Sequence, residues 1–127
     1  MAIRMNSGKV VVIDDNAAGL RSMKLLLEMA GYETAGHTSA NSFLASGDTP
    51  SCLIVDQNMP GVTGLQLVAS LRERPDHIPV LLICGFVDAP IATRAAELHV
   101  EKILEKPLEP EQLLAFVAAY AGSNAPV

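Results

Sequence analysis

Four charged groups and one thiol stand in this 127-residue chain where short apolar runs stop. Asp14 and Asp15 follow the run over 9–13, Asp56 follows 52–55, Cys84 follows 80–83, and Lys106 leaves the run over 100–104. Short apolar runs bounded by breakers are the pattern of buried parallel strands. In open α/β sheets, ligands and reactive groups gather beyond the carboxyl ends of the strands. Three carboxylates crowded there repel one another and raise one another's pKa. A hard divalent cation between them removes that conflict, and oxygen donors with open water positions suit Mg²⁺. A cation so held neutralises charge on a phosphoryl group, and a lysine across the pocket can hold another phosphoryl oxygen. The remaining carboxylate can then act as a nucleophile and form an acyl phosphate. Taken singly, each Asp has an ordinary role as a helix cap or turn residue, and Lys106 as a surface charge. Their joint placement at strand ends points to phosphoryl chemistry.

The elements that must position these groups can be read in chain order. Residues 1–8 form a polar arm, and 9–13 a β-branched central strand. Asn16 can cap a helix on which Leu20, Met23, Leu27 and Ala30 recur at helical spacing and which ends at Gly31. Residues 32–36 suit an edge strand. Ser39 caps a short helix with Phe43 and Leu44 inward, stopped near Gly47, and 48–51 form a turn. After the Asp56 strand and a loop through Pro60, Gly61 and Gly64, a helix presents Leu67, Val68 and Leu71 and must end before Pro75. Residues 80–83 are a buried strand opened by Pro79. Asp88 can cap a helix with Pro90 in its first turn and Ile91, Ala95 and Leu98 inward. The last strand spans 100–104, and Leu113, Phe116, Val117 and Tyr120 line a final helix. Residues 122–127 are a tail or the start of a linker. Five strands alternating with five helices call for one α/β domain, a doubly wound parallel sheet covered on two faces.

Composition narrows the function. The length suits a single domain, hydrophobic residues make up 50% of the chain and aromatics 4%, so the core is aliphatic. The formal net charge of −5 disfavours nucleic-acid binding by this domain. No apolar run approaches the roughly 20 residues of a membrane span, and residues 1–9 lack the apolar core of a secretory signal. Cys52 and Cys84 sit in apolar surroundings and read as reduced, buried small hydrophobes of a cytoplasmic protein. His37, His77 and His99 have no metal-ligand spacing and read as loop residues. Arg72-Glu73-Arg74 reads as a solvated helix end. No Gly-rich phosphate loop and no Ser/His/Asp arrangement is legible.

These residues carry a resemblance. The acidic pair Asp14-Asp15, Asp56 followed by Met59-Pro60 and Gly64, and Lys106-Pro107 occur in the order and spacing of two-component response-regulator receiver domains, over about 9–121. The resemblance implies strand order 2-1-3-4-5. It implies that Asp56 accepts a phosphoryl group from a phosphohistidine on a histidine kinase or phosphotransfer protein. It implies Mg²⁺ on Asp15, Asp56 and the backbone carbonyl of Asn58, with Asp14 acting mostly through water, and Lys106 on the phosphoryl group. It implies a protein that accepts and slowly loses its own phosphoryl group without being a turnover enzyme. An output domain or a second copy of the chain are the further partners it implies.

Three positions depart from the family pattern. Cys84 stands where Thr or Ser is usual, Ile103 where Tyr or Phe is usual, and Leu98-His99-Val100 in place of Ala-Gly-Ala. The first two belong to the parts that report phosphorylation to the surface, so the switch is expected to be atypical. A thiol is a weaker donor than a hydroxyl, and Ile103 has no ring to swing inward. A competing reading is a receiver-like protein-binding module that works largely without phosphorylation. A phosphohydrolase with an aspartyl nucleophile ranks last, because Asn58 stands where such enzymes often carry a second Asp. The resemblance also suggests a cis Lys106–Pro107 bond. His99, where a helix must stop and swing into a strand, is expected in the left-handed region that glycine commonly fills.

Overall fold

The computed structural model describes residues 8–75 and 77–121. The expected tail over 122–127, and the expected arm apart from Gly8, lie outside them. Within them run β1 (Val10–Ile13), α1 (Ala17–Met29), β2 (Thr34–His37), α2 (Ala40–Ser46), β3 (Cys52–Asp56), α3 (Gly64–Arg72), β4 (Val80–Cys84), α4 (Ala89–Glu97), β5 (Lys102–Glu105) and α5 (Pro110–Tyr120). The strands form one parallel sheet in the order β2-β1-β3-β4-β5, as expected.

Alternation along the three central strands divides the core between the two faces. Val11, Ile13, Leu53, Val55, Val80 and Leu82 pack with Phe43 of α2, Leu67, Val68 and Leu71 of α3 and Ala95 of α4. Val10, Val12, Cys52, Ile54, Leu81 and Ile83 pack with Met23 and Leu27 of α1 and Leu113, Phe116 and Val117 of α5. Each fully buried aliphatic side chain contributes about 1.5–3 kcal/mol. A sheet apolar on both faces leaves its polar chemistry to the strand ends, and Asp56 is the charged residue within the buried run of β3.

Two helices end by the same device. At α1, Gly31 has φ +98, its N–H reaches Glu28 O, and the Tyr32 N–H reaches Leu27 O. At α4, His99 has φ 56, its N–H reaches Ala96 O, and the Val100 N–H reaches Ala95 O. Both are Schellman closures, and the second bears out the left-handed backbone expected at His99. It also corrects the last strand: Val100 closes the helix, so pairing begins at Lys102 rather than at residue 100. The second strand likewise starts at Thr34 rather than Tyr32 and runs on to His37, because Tyr32 is used in closing α1.

Other expectations are corrected. Tyr120 is 45% exposed and lies beside the Phe116 ring instead of entering the core. Ala30 is exposed at the end of α1. Arg72 is not part of a solvated helix end: its side chain is 8% exposed. Its guanidinium donates to the carbonyls of Leu98 (2.7 Å), Ile78 (2.7 Å) and His99 (3.2 Å). It thereby ties the end of α3 to the entrance of β4 and the closure of α4.

Candidate functional site

The carboxyl ends of β1, β3 and β5 bring Asp14, Asp15, Asp56 and Lys106 to one edge. Carboxylate oxygens of the three aspartates lie within 4.8 Å of one another. Asp14 and Asp56 are buried, and Asp15 is exposed. Asp56 Oδ2 accepts a hydrogen bond from Lys106 Nζ at 2.8 Å, and Oδ1 accepts the Asn58 N–H at 3.0 Å. Asp14 Oδ1 accepts the Asn16 N–H at 3.0 Å, and the Asn16 side chain in turn caps α1 on the Gly19 N–H. The turn that places Asp14 is thus part of the helix start that follows it. The Lys106–Pro107 peptide is cis, as the resemblance suggested, and the Lys106 N–H is anchored on Cys84 O at 2.9 Å.

Electrostatics at this edge are unbalanced. Burial raises the Asp14 carboxyl above its ordinary value and the nearby Asp56 charge adds to that, opposed by the Asn16 N–H. The Lys106 ammonium is held above its usual range by its hydrogen bond to Asp56. Three carboxylates face one ammonium, all offering hard oxygen. That donor set fits a divalent cation such as Mg²⁺, with Asp15 on the open side.

The β3–α3 connection supports Asp56 from behind, through signals the sequence reading missed. Thr63 and Gln66 form a capping box: Thr63 Oγ1 accepts the Gln66 N–H, and Gln66 Oε1 accepts the Thr63 N–H. Their Thr-x-x-Gln spacing was visible in the sequence. The Gln57 side chain accepts the Leu65 N–H at 2.8 Å, which no local pattern announces. Gly64 is required by close approach. A Cβ there would lie 2.8 Å from Asp56 O and 2.8 Å from Leu82 Cδ1.

Cys84 is buried, and its Sγ–H donates to Phe86 O at 3.0 Å. Glu105 Oε2 accepts the Val87 N–H at 2.8 Å, so the β4–α4 loop is tied both to itself and to β5. Ile103 is half-buried against the core beneath α4. Cys52 is a free thiol whose pKa burial pushes up to about 12, consistent with an inert core residue. Between α1 and the β5–α5 connection, a groove of about 580 Å³ opens beside Asp14 and Lys106, lined by Met23, Leu26, Leu108 and Leu113.

The structure also assembles a Ser/His/Asp set that the sequence did not reveal. His37 closes β2 rather than lying in a loop. Its Nδ1 is 2.8 Å from Ser42 Oγ and its Nε2 is 3.4 Å from Asp48 Oδ2. Lys9 shares Asp48 at 3.5 Å. Burial works to raise the Asp48 carboxyl, but the His37 and Lys9 contacts outweigh it and hold the group below its usual value. The set pins the end of α2 to β2, with the His37 ring edge-on to Phe43 at 5.7 Å between centroids. Among the described residues, no helix is long and apolar enough to cross a membrane.

Comparison with known proteins agrees with this geometry. The family model described as the response regulator receiver domain matches residues 10–118. The transcriptional regulatory protein FixJ of Azorhizobium caulinodans is 39% identical over 119 residues, covering 91% of this chain and 56% of that protein. FixJ of Bradyrhizobium diazoefficiens is 34% identical over 112 residues, covering 87% and 55%. The chain spans about half the length of these curated relatives. Among solved structures, full-length FixJ from B. japonicum superposes with a TM-score of 0.80 at 31% identity, covering 96% of this chain and 61% of that one. A receiver domain protein from Clostridium thermocellum gives 0.79 at 25% identity, covering 89% and 93%.

Proposed function

The chain belongs to the response regulator receiver domain family, and from that premise we propose that it accepts a phosphoryl group on Asp56 from a phosphohistidine of a partner kinase or phosphotransfer protein. The observation that carries this reading is the joint placement of Asp56, Asp14, Asp15 and Lys106 at one sheet edge, with Lys106 Nζ 2.8 Å from Asp56 Oδ2. An Asp56 carboxylate oxygen forms the new O–P bond as the N–P bond of the donor breaks, and the imidazole nitrogen keeps that electron pair. Lys106, kept protonated by Asp56, turns its charge to the incoming phosphoryl oxygens. Asp15, Asp56 and the Asn58 backbone carbonyl would hold Mg²⁺, with Asp14 acting through water. The metal supplies charge neutralisation on the phosphoryl group. The groove between α1 and the β5–α5 connection offers the donor an apolar seat beside Asp14 and Lys106. The curated relatives are transcriptional regulatory proteins about twice as long, and an output domain or a second copy of the chain is the partner that would read the phosphorylation of this domain.

The test is incubation with acetyl phosphate and Mg²⁺ followed by intact-mass measurement. One lasting adduct is expected, absent from Asp56→Asn. Repeated turnover of acetyl phosphate without an adduct would instead indicate a hydrolase.

The readout is the atypical part. To meet a phosphoryl oxygen, the Cys84 thiol must leave Phe86 O, and the loop it would move is held by Glu105 on Val87. Ile103 already packs under α4. Phosphorylation then shifts the conformational equilibrium little, because a ligand moves populations only by its differential interaction with the two states. In NMR spectra with beryllofluoride and Mg²⁺, Cys84→Thr is expected to shift α4 and β5 resonances more than wild type does. Equal shifts refute the idea. The second reading, a binding module that works without phosphorylation, rests on this same tethered loop and is favoured if no adduct forms.

A further inference from the structure

We propose that the Gln57 side chain is a positioning residue for the metal-binding loop, fixing Asn58 beside Asp56 by accepting the Leu65 N–H. The inference rests on the receiver reading above and goes beyond the residues assigned there.

Gln57 is bonded through its N–H, its carbonyl and its side-chain oxygen. Its N–H donates to Ile83 O of β4 at 2.7 Å. Its carbonyl accepts from Met59 N and from Gly64 N, both at 3.2 Å. Its side-chain Oε1 accepts from Leu65 N at 2.8 Å. The last two donors are the first and second amides of α3, which a helix leaves without partners of its own. The third amide, on Gln66, goes to Thr63 Oγ1. The turn over 57–64 is therefore closed on itself, with one residue bonded at its start to β4 and at its end to α3.

Asn58 is the next residue in that closed turn. It is exposed, its N–H reaches Asp56 Oδ1, and Met59 after it is buried in the core. A buried anchor lies on one side of Asn58 and the Gln57 clamp on the other. Gly64, whose N–H belongs to the same clamp, lies so close to Asp56 that an added Cβ would stand 2.8 Å from the Asp56 carbonyl oxygen. Without the side-chain acceptor, the buried Leu65 amide loses its partner and the end of the turn is held by the longer Gln57 carbonyl bonds. Groups that orient metal ligands through hydrogen bonds commonly account for a factor of about 10–100 in metal affinity.

Two probes decide it, both read by NMR on the full chain: exchange of the Leu65 amide without metal, and titration with Mg²⁺. Gln57→Met, matched in length but lacking the acceptor, is expected to expose the Leu65 amide to exchange and to weaken Mg²⁺ binding about tenfold. Gln57→Glu keeps the acceptor and is expected to restore the amide protection. If Gln57→Met is too unstable to titrate, Gln57→Asn, one methylene too short to reach Leu65, is read with the same probes. A variant with an exposed Leu65 amide and wild-type Mg²⁺ affinity overturns the inference, since Gln57 is then a helix cap only. A Leu65 amide that stays protected in Gln57→Met or Gln57→Asn overturns it as well. Wild type that binds no Mg²⁺ overturns the receiver reading and this inference with it, whereas equally tight binding by wild type and by the variant lacking the acceptor overturns this inference alone.

Discussion

Replacing Arg72 by Met should cost more stability than its place at a helix end suggests. Met keeps most of the apolar stem and deletes the guanidinium. Two of the lost hydrogen bonds, to Leu98 O and Ile78 O, are 2.7 Å long and come from a charged donor that is 8% exposed. At the lower end of the range for charge-assisted bonds, each is worth about 1.5 kcal/mol. The 3.2 Å bond to His99 O and the 3.5 Å ion pair to Glu101, whose side chain is 26% exposed, add at most about 1 kcal/mol together. Glu101 keeps a partner in the Val80 N–H, so no carboxylate is stranded. The sum is roughly 3–4 kcal/mol. For a domain of this size that is a fall in Tm of roughly 12–16 °C. Urea unfolding should show a lower midpoint at an unchanged slope. Arg72→Lys should recover only part of the loss, because an ammonium cannot fork across two carbonyls as a guanidinium does. In a double-mutant cycle with Glu101→Gln, the coupling should stay below about 1 kcal/mol. A loss under about 1 kcal/mol for Arg72→Met would refute the assignment of a buried clamp.

Three further outcomes are expected. Asp14→Asn should melt higher than wild type at neutral pH without Mg²⁺. The folded-state pKa of Asp14 is raised above 3.8, so the native state holds that proton more tightly than the unfolded chain. The Asp14 contribution to wild-type stability falls as pH rises through this window, and the gap to Asp14→Asn, measured by thermal melts across pH, should close in acid below 3.8. Asp15→Ala should weaken Mg²⁺ binding in a titration while leaving the fold intact, since its side chain is exposed; wild-type affinity would show the metal site is wrongly placed. Gly64→Ala should cost about 1–3 kcal/mol in urea unfolding, because the Asp56 carbonyl that its Cβ would meet is backbone and cannot yield cheaply. Unchanged stability would mean that α3 can slide away from β3.

How much of this was legible in the chain depends on the range of each interaction. The aliphatic runs at 52–55 and 80–83 read as buried strands because a continuous short apolar run bounded by breakers is a local property of the chain. Asn16, Ser39 and Asp88 read as caps because each bonds an amide three residues on. Asp14, Asp15, Asp56 and Lys106 could be singled out because a parallel sheet sends every strand end to the same edge. His99 was legible too, since a helix that must reverse within two residues needs a left-handed residue whatever its side chain. What the sequence could not show was any partner chosen by packing. Arg72 looked solvated because the carbonyls it serves lie 26 and 27 residues further on, at Leu98 and His99. His37 looked like a loop residue because Ser42 and Asp48 face it only once α2 folds back over β2. The Gln57 bond to Leu65 was not legible because it exists only when the loop closes. Side-chain hydrogen bonds form where the fold leaves a backbone group without a partner, and tertiary structure alone decides where those groups end up.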